Sequence, residues 1–433
     1  MILATRIILL ILITATTFGS YSAQNALPVI GERLDADIIA ILTVTSVFSL
    51  VLAPFLSNFL TKFQERNMIL CSLLLSLGGI MVFAFVEMFS GFWFYFLAVL
   101  SMLAVSGGAI GYLIPAIIVI FHEAAESGLK YFPFIEFSWD LGYTFGGIMP
   151  LFVDEDVYFH YYFTPIGCAI FIGFVYAWIN VKEVPKDAIL NEGMKIYNII
   201  IEKEIFMDAL IITYVVAACK CVDPVMTGLV EDLDGNESDA TFFIITGTSV
   251  SFVVTSSLVF TLEFLERRFV MIFGIICCMI GLTIVGPINF AVGGSKNLLR
   301  ISIVFLDFGM QVGTAAGLPT LYHTVKYRLK WRVDQKLINL LIGIWVTAIL
   351  LGHIAGPSVM IWLTLKYEYY KVTVVFFLIG VMVAIVYTYL YRDTMQVSVL
   401  LRGSDDEDLI ERKSGNEEDF LIKEDKKNET ESG

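Results

Sequence analysis

The chain has 433 residues, 57% of them hydrophobic and 16% charged, with a mean hydropathy of +0.78. That composition excludes an ordinary soluble domain and points to a polytopic membrane protein. The net charge of −14 sits mainly in a few loops and the C-terminal tail, and no basic patch suggests nucleic acid.

Twelve apolar stretches are each long enough to cross a bilayer, at about 5–28, 38–60, 68–86, 92–121, 132–153, 159–180, 206–230, 240–262, 269–290, 298–323, 337–363 and 370–391. The first also fits a signal peptide, with Arg6, the apolar run Ile7–Ile13 and the small residues Ser20 and Ser22. Cleavage would leave eleven spans and spoil the repeat described below, so this stretch is read as the first helix. The expected fold class is an all-α membrane protein of 12 transmembrane helices in two six-helix pseudo-repeats. Residues 1–180 form the N-terminal bundle, 181–205 a cytosolic linker, 206–391 the C-terminal bundle and 392–433 a disordered acidic cytosolic tail.

Lysines and arginines set the orientation. Loops after even-numbered spans hold Lys62, Arg66, Lys130, Lys182, Lys186, Lys195, Lys203, Arg267, Arg268, Lys326, Arg328, Lys330, Arg332 and Lys336. The opposite loops hold Arg33, Lys296, Arg300, Lys366 and Lys371, so both termini are expected in the cytosol. The other face is acidic and carries Asn236-Glu237-Ser238, a glycosylation sequon on the side where it is usable.

The duplication shows in three places. Phe63-Gln64-Glu65-Arg66 matches Phe264-Leu265-Glu266-Arg267, GYLIP at 111–115 matches AAGLP at 315–319, and LGYTFGG at 141–147 matches LGHIAGP at 351–357. The offsets are 201, 204 and 210 residues, always pairing a span with the sixth one after it. Such a parallel repeat is the architecture in which two halves rock around a midplane site. Gly142 and Gly146, and then Gly352 and Gly356, lie at helical spacing, where small residues let helices approach closely.

Charges inside the spans carry the functional signal. A carboxylate at mid-bilayer costs roughly 2.5–3.5 kcal/mol on insertion scales, so such acids mark a polar path. Glu136 and Asp140 are four apart on span 5 and share a face. Like charges that close in a low dielectric suit a group that takes up and releases a proton. Lys220 and Asp223, three apart on span 7, can pair. Either the pair only makes insertion tolerable, or Asp223 binds an amine while Lys220 competes as an internal counter-ion. Asp307 stands with Gln311 one turn on, and His353 lies in span 11, where it fits a titrating group or a packing histidine. Asp208 opens span 7 as a capping or interface residue, and Trp139, Tyr143, Tyr214 and Trp345 are candidates for stacking on an organic cation.

No enzyme motif is present. The four histidines (His122, His160, His323, His353) are dispersed, no phosphate-binding loop exists, and the six cysteines lie in apolar stretches. No cofactor or metal is expected, and transport energy comes from an ion gradient or the substrate's own. In the tail, Asp405 precedes Leu409-Ile410 and Glu417 precedes Leu421-Ile422, each acid four residues before a Leu-Ile pair. Such acidic dileucine signals are similar to those that clathrin adaptors read.

Glu136 with the glycine-rich 141–147 segment, CVDP at 221–224, Gly286-Pro287, Leu318-Pro319-Thr320 and LGHIAGP at 351–357 together resemble the major facilitator superfamily. Within it they are most similar to the vesicular amine transporters, particularly the vesicular polyamine transporter branch. The resemblance covers nearly the whole transmembrane region and implies a proton-coupled antiporter for an organic cation, a polyamine, in vesicular, endosomal or lysosomal membranes. It places a substrate carboxylate at Asp223. The substrate-binding set is then Asp223, Glu136, Asp307, Tyr143, Gln24 and Asn25, and the proton-coupling set Glu136, Asp140, Asp223, Lys220 and His353. The chain departs from the family in three ways. Little of the glycine and aspartate signature remains in SNFLTK at 57–62, Gly147 replaces the expected proline, and the first and eleventh spans offer Gln24, Asn25 and His353 where monoamine carriers have aspartates. The last departure argues against a monoamine or acetylcholine carrier. Two rivals remain open: a facilitator for an organic anion or neutral solute with Lys220 as ligand, and a transport-dead sensor or scaffold.

Overall fold

A computed structural model describes residues 3–33, 39–59, 64–122, 128–148, 160–181, 195–231, 233, 243, 246–247, 249–250, 253–258, 266–331, 333 and 335–398. These residues are overwhelmingly helical, with no strand among them. Two units are distinguished, Met1–Val386 and Tyr387–Gly433. In the second, the Tyr387 and Tyr391 rings lie 4.5 Å apart, one turn from each other.

The helices of the first half are α1 (Leu3–Arg33), α2 (Ile39–Phe59), α3 (Glu65–Phe83), α4 (Phe92–His122), α5 (Gly128–Ile148) and α6 (His160–Asn180). The second half has α7 (Lys203–Lys220), α8 (Arg267–Thr283), α9 (Lys296–His323), α10 (Gln335–Thr364) and α11 (Tyr369–Ser398), so α8 to α11 are spans 9 to 12. Ten helical segments among the described residues are long and apolar enough to cross a membrane. Of the twelve expected spans, the fifth is present as the 21-residue helix α5, whose side chains are described only in part. The eighth lies largely outside the described residues. Large apolar side chains such as Phe92, Ile172 and Ile179 are exposed over the outer faces, as lipid contact requires.

The packing repeats as the sequence does. Helix α3 packs on α4 as α8 does on α9, α1 on α5 as α7 on α10, and α1 on α4 as α7 on α9. The halves meet through α2 with α10, α4 with α10, and α5 with α9. The repeat extends to single atoms. The Thr14 hydroxyl of α1 donates to the Ser138 carbonyl of α5 at 2.9 Å, and the Thr213 hydroxyl of α7 donates to the Ala348 carbonyl of α10 at 3.2 Å. A Cβ on Gly142 would stand 2.6 Å from the Thr14 carbonyl oxygen, and one on Gly352 would stand 2.7 Å from that of Thr213. The obstacles are backbone, so the helices themselves must separate to admit a side chain. Gly142→Val and Gly352→Val are therefore expected to destabilise the folded chain by about 1–3 kcal/mol each. Thermal denaturation in detergent checks this, and parental melting in both variants would contradict it.

Helix α7 does not run straight through. It ends at Lys220, turns at Cys221 and Val222, makes a 3-10 turn over Asp223–Val225 and resumes over Met226–Glu231. Pro224 explains the break: it has no N–H to donate and disfavours helical geometry at Asp223 before it.

Candidate functional site

A cavity lies between the two halves, holding about 540 Å³ of space not filled by atoms, with the open solvent at its mouth included. It is lined by Tyr21 of α1, Glu136, Trp139, Tyr143 and Thr144 of α5, Val216 and Lys220 of α7, four residues of α9, and Trp345, Ile349 and His353 of α10. The α9 contribution is Asp307, Met310, Gln311 and Thr314. These positions recur every three or four residues, as one face of each helix must.

Helix geometry gives the cavity its depth. Glu136 to Tyr143 on α5 and Thr314 to Asp307 on α9 are each seven residues, about 10 Å of rise. Part of the wall is aromatic. Trp139 and Trp345 meet edge to face with centroids 5.7 Å apart, and the Trp345 indole donates to the Thr314 carbonyl at 3.1 Å. That pair joins α5 to α10 across the two halves. Glu136, 4% exposed, sits one turn beyond Trp139.

At the other end stands the lysine. The Lys220 ammonium donates to the Tyr143 hydroxyl at 2.6 Å, lies 4.7 Å from the centre of that ring and pairs with the Asp223 carboxylate at 3.3 Å. The Tyr143 ring is itself braced by the edge of Tyr21, with centroids 4.3 Å apart. The Asp223 side chain is 49% exposed against 8% for Lys220, so the pair joins a buried ammonium to a half-exposed carboxylate. Asp307 accepts from the Cys219 thiol at 3.4 Å and packs against Gly247, where a Cβ would overlap its carboxylate. His353 Nδ1 donates to the Ile349 carbonyl at 3.0 Å.

Of the residues singled out in the sequence, Glu136, Trp139, Tyr143, Lys220, Asp307, Gln311, Trp345 and His353 line this space, whereas Asp223 is not among the lining residues and is tied to them through its pair with Lys220. Gln24 is half-buried on α1 and is not among the lining residues, whereas Tyr21, one turn earlier, is. The side chains of Asn25 and Asp140 fall outside the described residues, as do Asn236 and both tail Leu-Ile pairs. Tyr214 is a packing residue whose hydroxyl donates to the Phe376 carbonyl at 3.2 Å. Tyr21, Thr144, Thr314 and Val216 were not foreseen. Being neutral, they give no signal until the helices that face each other are known.

Asp208 also takes a definite place away from the cavity. It is fully buried and accepts from the Thr324 hydroxyl at 2.7 Å, and that hydroxyl in turn accepts from the Arg268 guanidinium at 3.2 Å. The chain of contacts ties α7 to the start of α8 and to the turn after α9.

The sequence profile of the Major Facilitator Superfamily matches residues 9–330, about three quarters of the chain, and the chain belongs to that family. No curated protein matches it.

Proposed function

We propose that this multi-pass member of the Major Facilitator Superfamily is a proton-coupled antiporter that moves an organic cation, a polyamine, from the cytosol into acidic vesicles. Secondary transport in general follows from the family. The cation reading is ours and is carried by one observation: a cavity between the two halves, lined by Glu136 and Asp307 and walled by Tyr21, Trp139, Tyr143 and Trp345. Carboxylates and aromatic faces are what an ammonium group binds.

With the cavity facing the cytosol, ionised Glu136 and Asp223 attract the amine. The halves rock, the site meets the acidic lumen, and protonation of the carboxylates releases the cargo. Each proton moved down one pH unit supplies roughly 1.4 kcal/mol. Both termini then face the cytosol, where clathrin adaptors read the Leu-Ile pairs and direct the carrier to endosomes, lysosomes or secretory vesicles. Asn236 is glycosylated on the lumenal side.

The test is ATP-free proteoliposomes with an imposed pH gradient, comparing uptake of spermidine, a monoamine and an organic anion. Spermidine is expected to accumulate ahead of the monoamine, with no anion uptake. Preferential anion uptake would make Lys220 the ligand and overturn the reading.

A further inference from the structure

A lysine ammonium buried in a protein costs several kcal/mol unless it is paired and hydrogen-bonded. Lys220 is 6% exposed, and two side chains cradle it: the Tyr143 phenol oxygen at 2.6 Å and the Asp223 carboxylate at 3.3 Å. An acceptor oxygen and a carboxylate are also the elements that would recognise the primary ammonium of a cargo. The cradle is built from both halves, Tyr143 coming from α5 and Asp223 from the turn where α7 breaks. It is braced in advance, because the edge of Tyr21 holds the Tyr143 ring at 4.3 Å. The lysine therefore occupies the position that a free amine would take, while fixed to the chain by its own stem.

Another carboxylate lines the cavity with Lys220. Asp307 is held by the thiol of Cys219, the residue before Lys220, and lines the same space. A lysine side chain is long, flexible and turns about several bonds, so it has somewhere to go when another cation takes its place.

We propose that Lys220 is a tethered stand-in for the cargo: its ammonium fills the Tyr143–Asp223 cradle when the carrier is empty, and an incoming ammonium displaces it toward Asp307. The inference rests on the cation-carrier reading above and adds a mechanism to it. Closing a cavity around a bare carboxylate costs several kcal/mol, whereas closing it around an ion pair avoids most of that penalty. After release the carrier, with a lumenal proton on Glu136 and Lys220 back on Asp223, can therefore occlude and return to the cytosolic side without cargo. Without the lysine, Asp223 must itself be covered by a second proton or by another cation, so the cargo-free return slows while exchange of cargo for cargo continues.

The experiment uses the purified full chain in proteoliposomes with an imposed pH gradient. Radiolabelled spermidine is supplied outside, and the vesicles are either amine-free (net uptake) or preloaded with unlabelled spermidine (exchange). The parent is expected to show the two modes at similar rates. In Lys220→Met, net uptake is expected to fall at least about tenfold while exchange persists, since only the empty return step meets the bare carboxylate. The variant is also expected to reach its spermidine-induced thermal shift at lower concentration, because the internal competitor is gone. Lys220→Gln, which keeps a donor for Tyr143 without the charge, carries the same test if the methionine variant does not fold. Unchanged net uptake, or equal loss of both modes in a variant that melts cooperatively, overturns the stand-in role. A parent that moves no cation in either mode overturns the carrier reading itself, and this inference with it.

Discussion

Glu136→Gln is expected to lower pH-gradient-driven cation uptake by about ten- to a hundredfold, the equivalent of losing one charge-assisted hydrogen bond worth about 1.5–3 kcal/mol. Glutamine keeps the shape of the side chain and one carbonyl acceptor but neither the negative charge nor the capacity to exchange a proton. Glu136 lines the cavity one turn from Trp139, whose pair with Trp345 joins the two halves. It is about 10 Å of helix rise from the Lys220–Asp223 pair, given the seven residues to Tyr143. The two sites therefore act in sequence along the path, and loss of one is not made good by the other. The comparison is initial spermidine uptake at matched protein incorporation. Parental uptake by Glu136→Gln would remove Glu136 from the transport path.

Asp208→Ala is expected to destabilise the folded protein by about 3 kcal/mol, because it strips the acceptor from a buried network that contains a guanidinium. Asp208 is fully buried, Arg268 is 3% exposed, and the Thr324 hydroxyl between them donates to one and accepts from the other. Alanine leaves that hydroxyl without its acceptor and weakens the environment of Arg268. Asp208→Asn keeps an acceptor oxygen and is expected to lose less, about 1 kcal/mol. Thermal denaturation in detergent should order the three proteins parent, Asn, Ala. Parental melting of the alanine variant would show that this network adds nothing to stability. Transport rates per folded molecule are expected to change little, which separates this residue from those of the cavity.

The sequence carried the helices and the repeat plainly because both rest on local signals: runs of apolar residues and glycines at helical spacing. Gly142 and Gly352 occupy equivalent places against Thr14 and Thr213. The fifth span was legible from its aromatic and glycine-rich run despite its three charges, and it forms helix α5. Glu136, Lys220 and Asp307 were legible for the opposite reason, as charges in surroundings that penalise them. What the sequence could not convey is pairing across the bundle. Nothing local says that Trp139 meets Trp345, that Tyr21 rather than Gln24 reaches the cavity, or that the Lys220 ammonium finds Tyr143 as well as Asp223. Asp208 illustrates the same limit. At the start of span 7 it read as a capping or interface residue, and the approach of Arg268 and Thr324 from other helices makes it the latter, a tie within the bundle.

Proton movement evoked by cargo tests the carrier mechanism most directly. Proteoliposomes containing the full chain, acidified inside and loaded with a pH-sensitive dye, are given spermidine from outside without ATP. Exchange of protons for cation predicts a rise in lumenal pH that saturates with spermidine, is absent with an organic anion and is lost in Glu136→Gln. An unchanged lumenal pH during measured spermidine entry, or a fall in it, contradicts the mechanism.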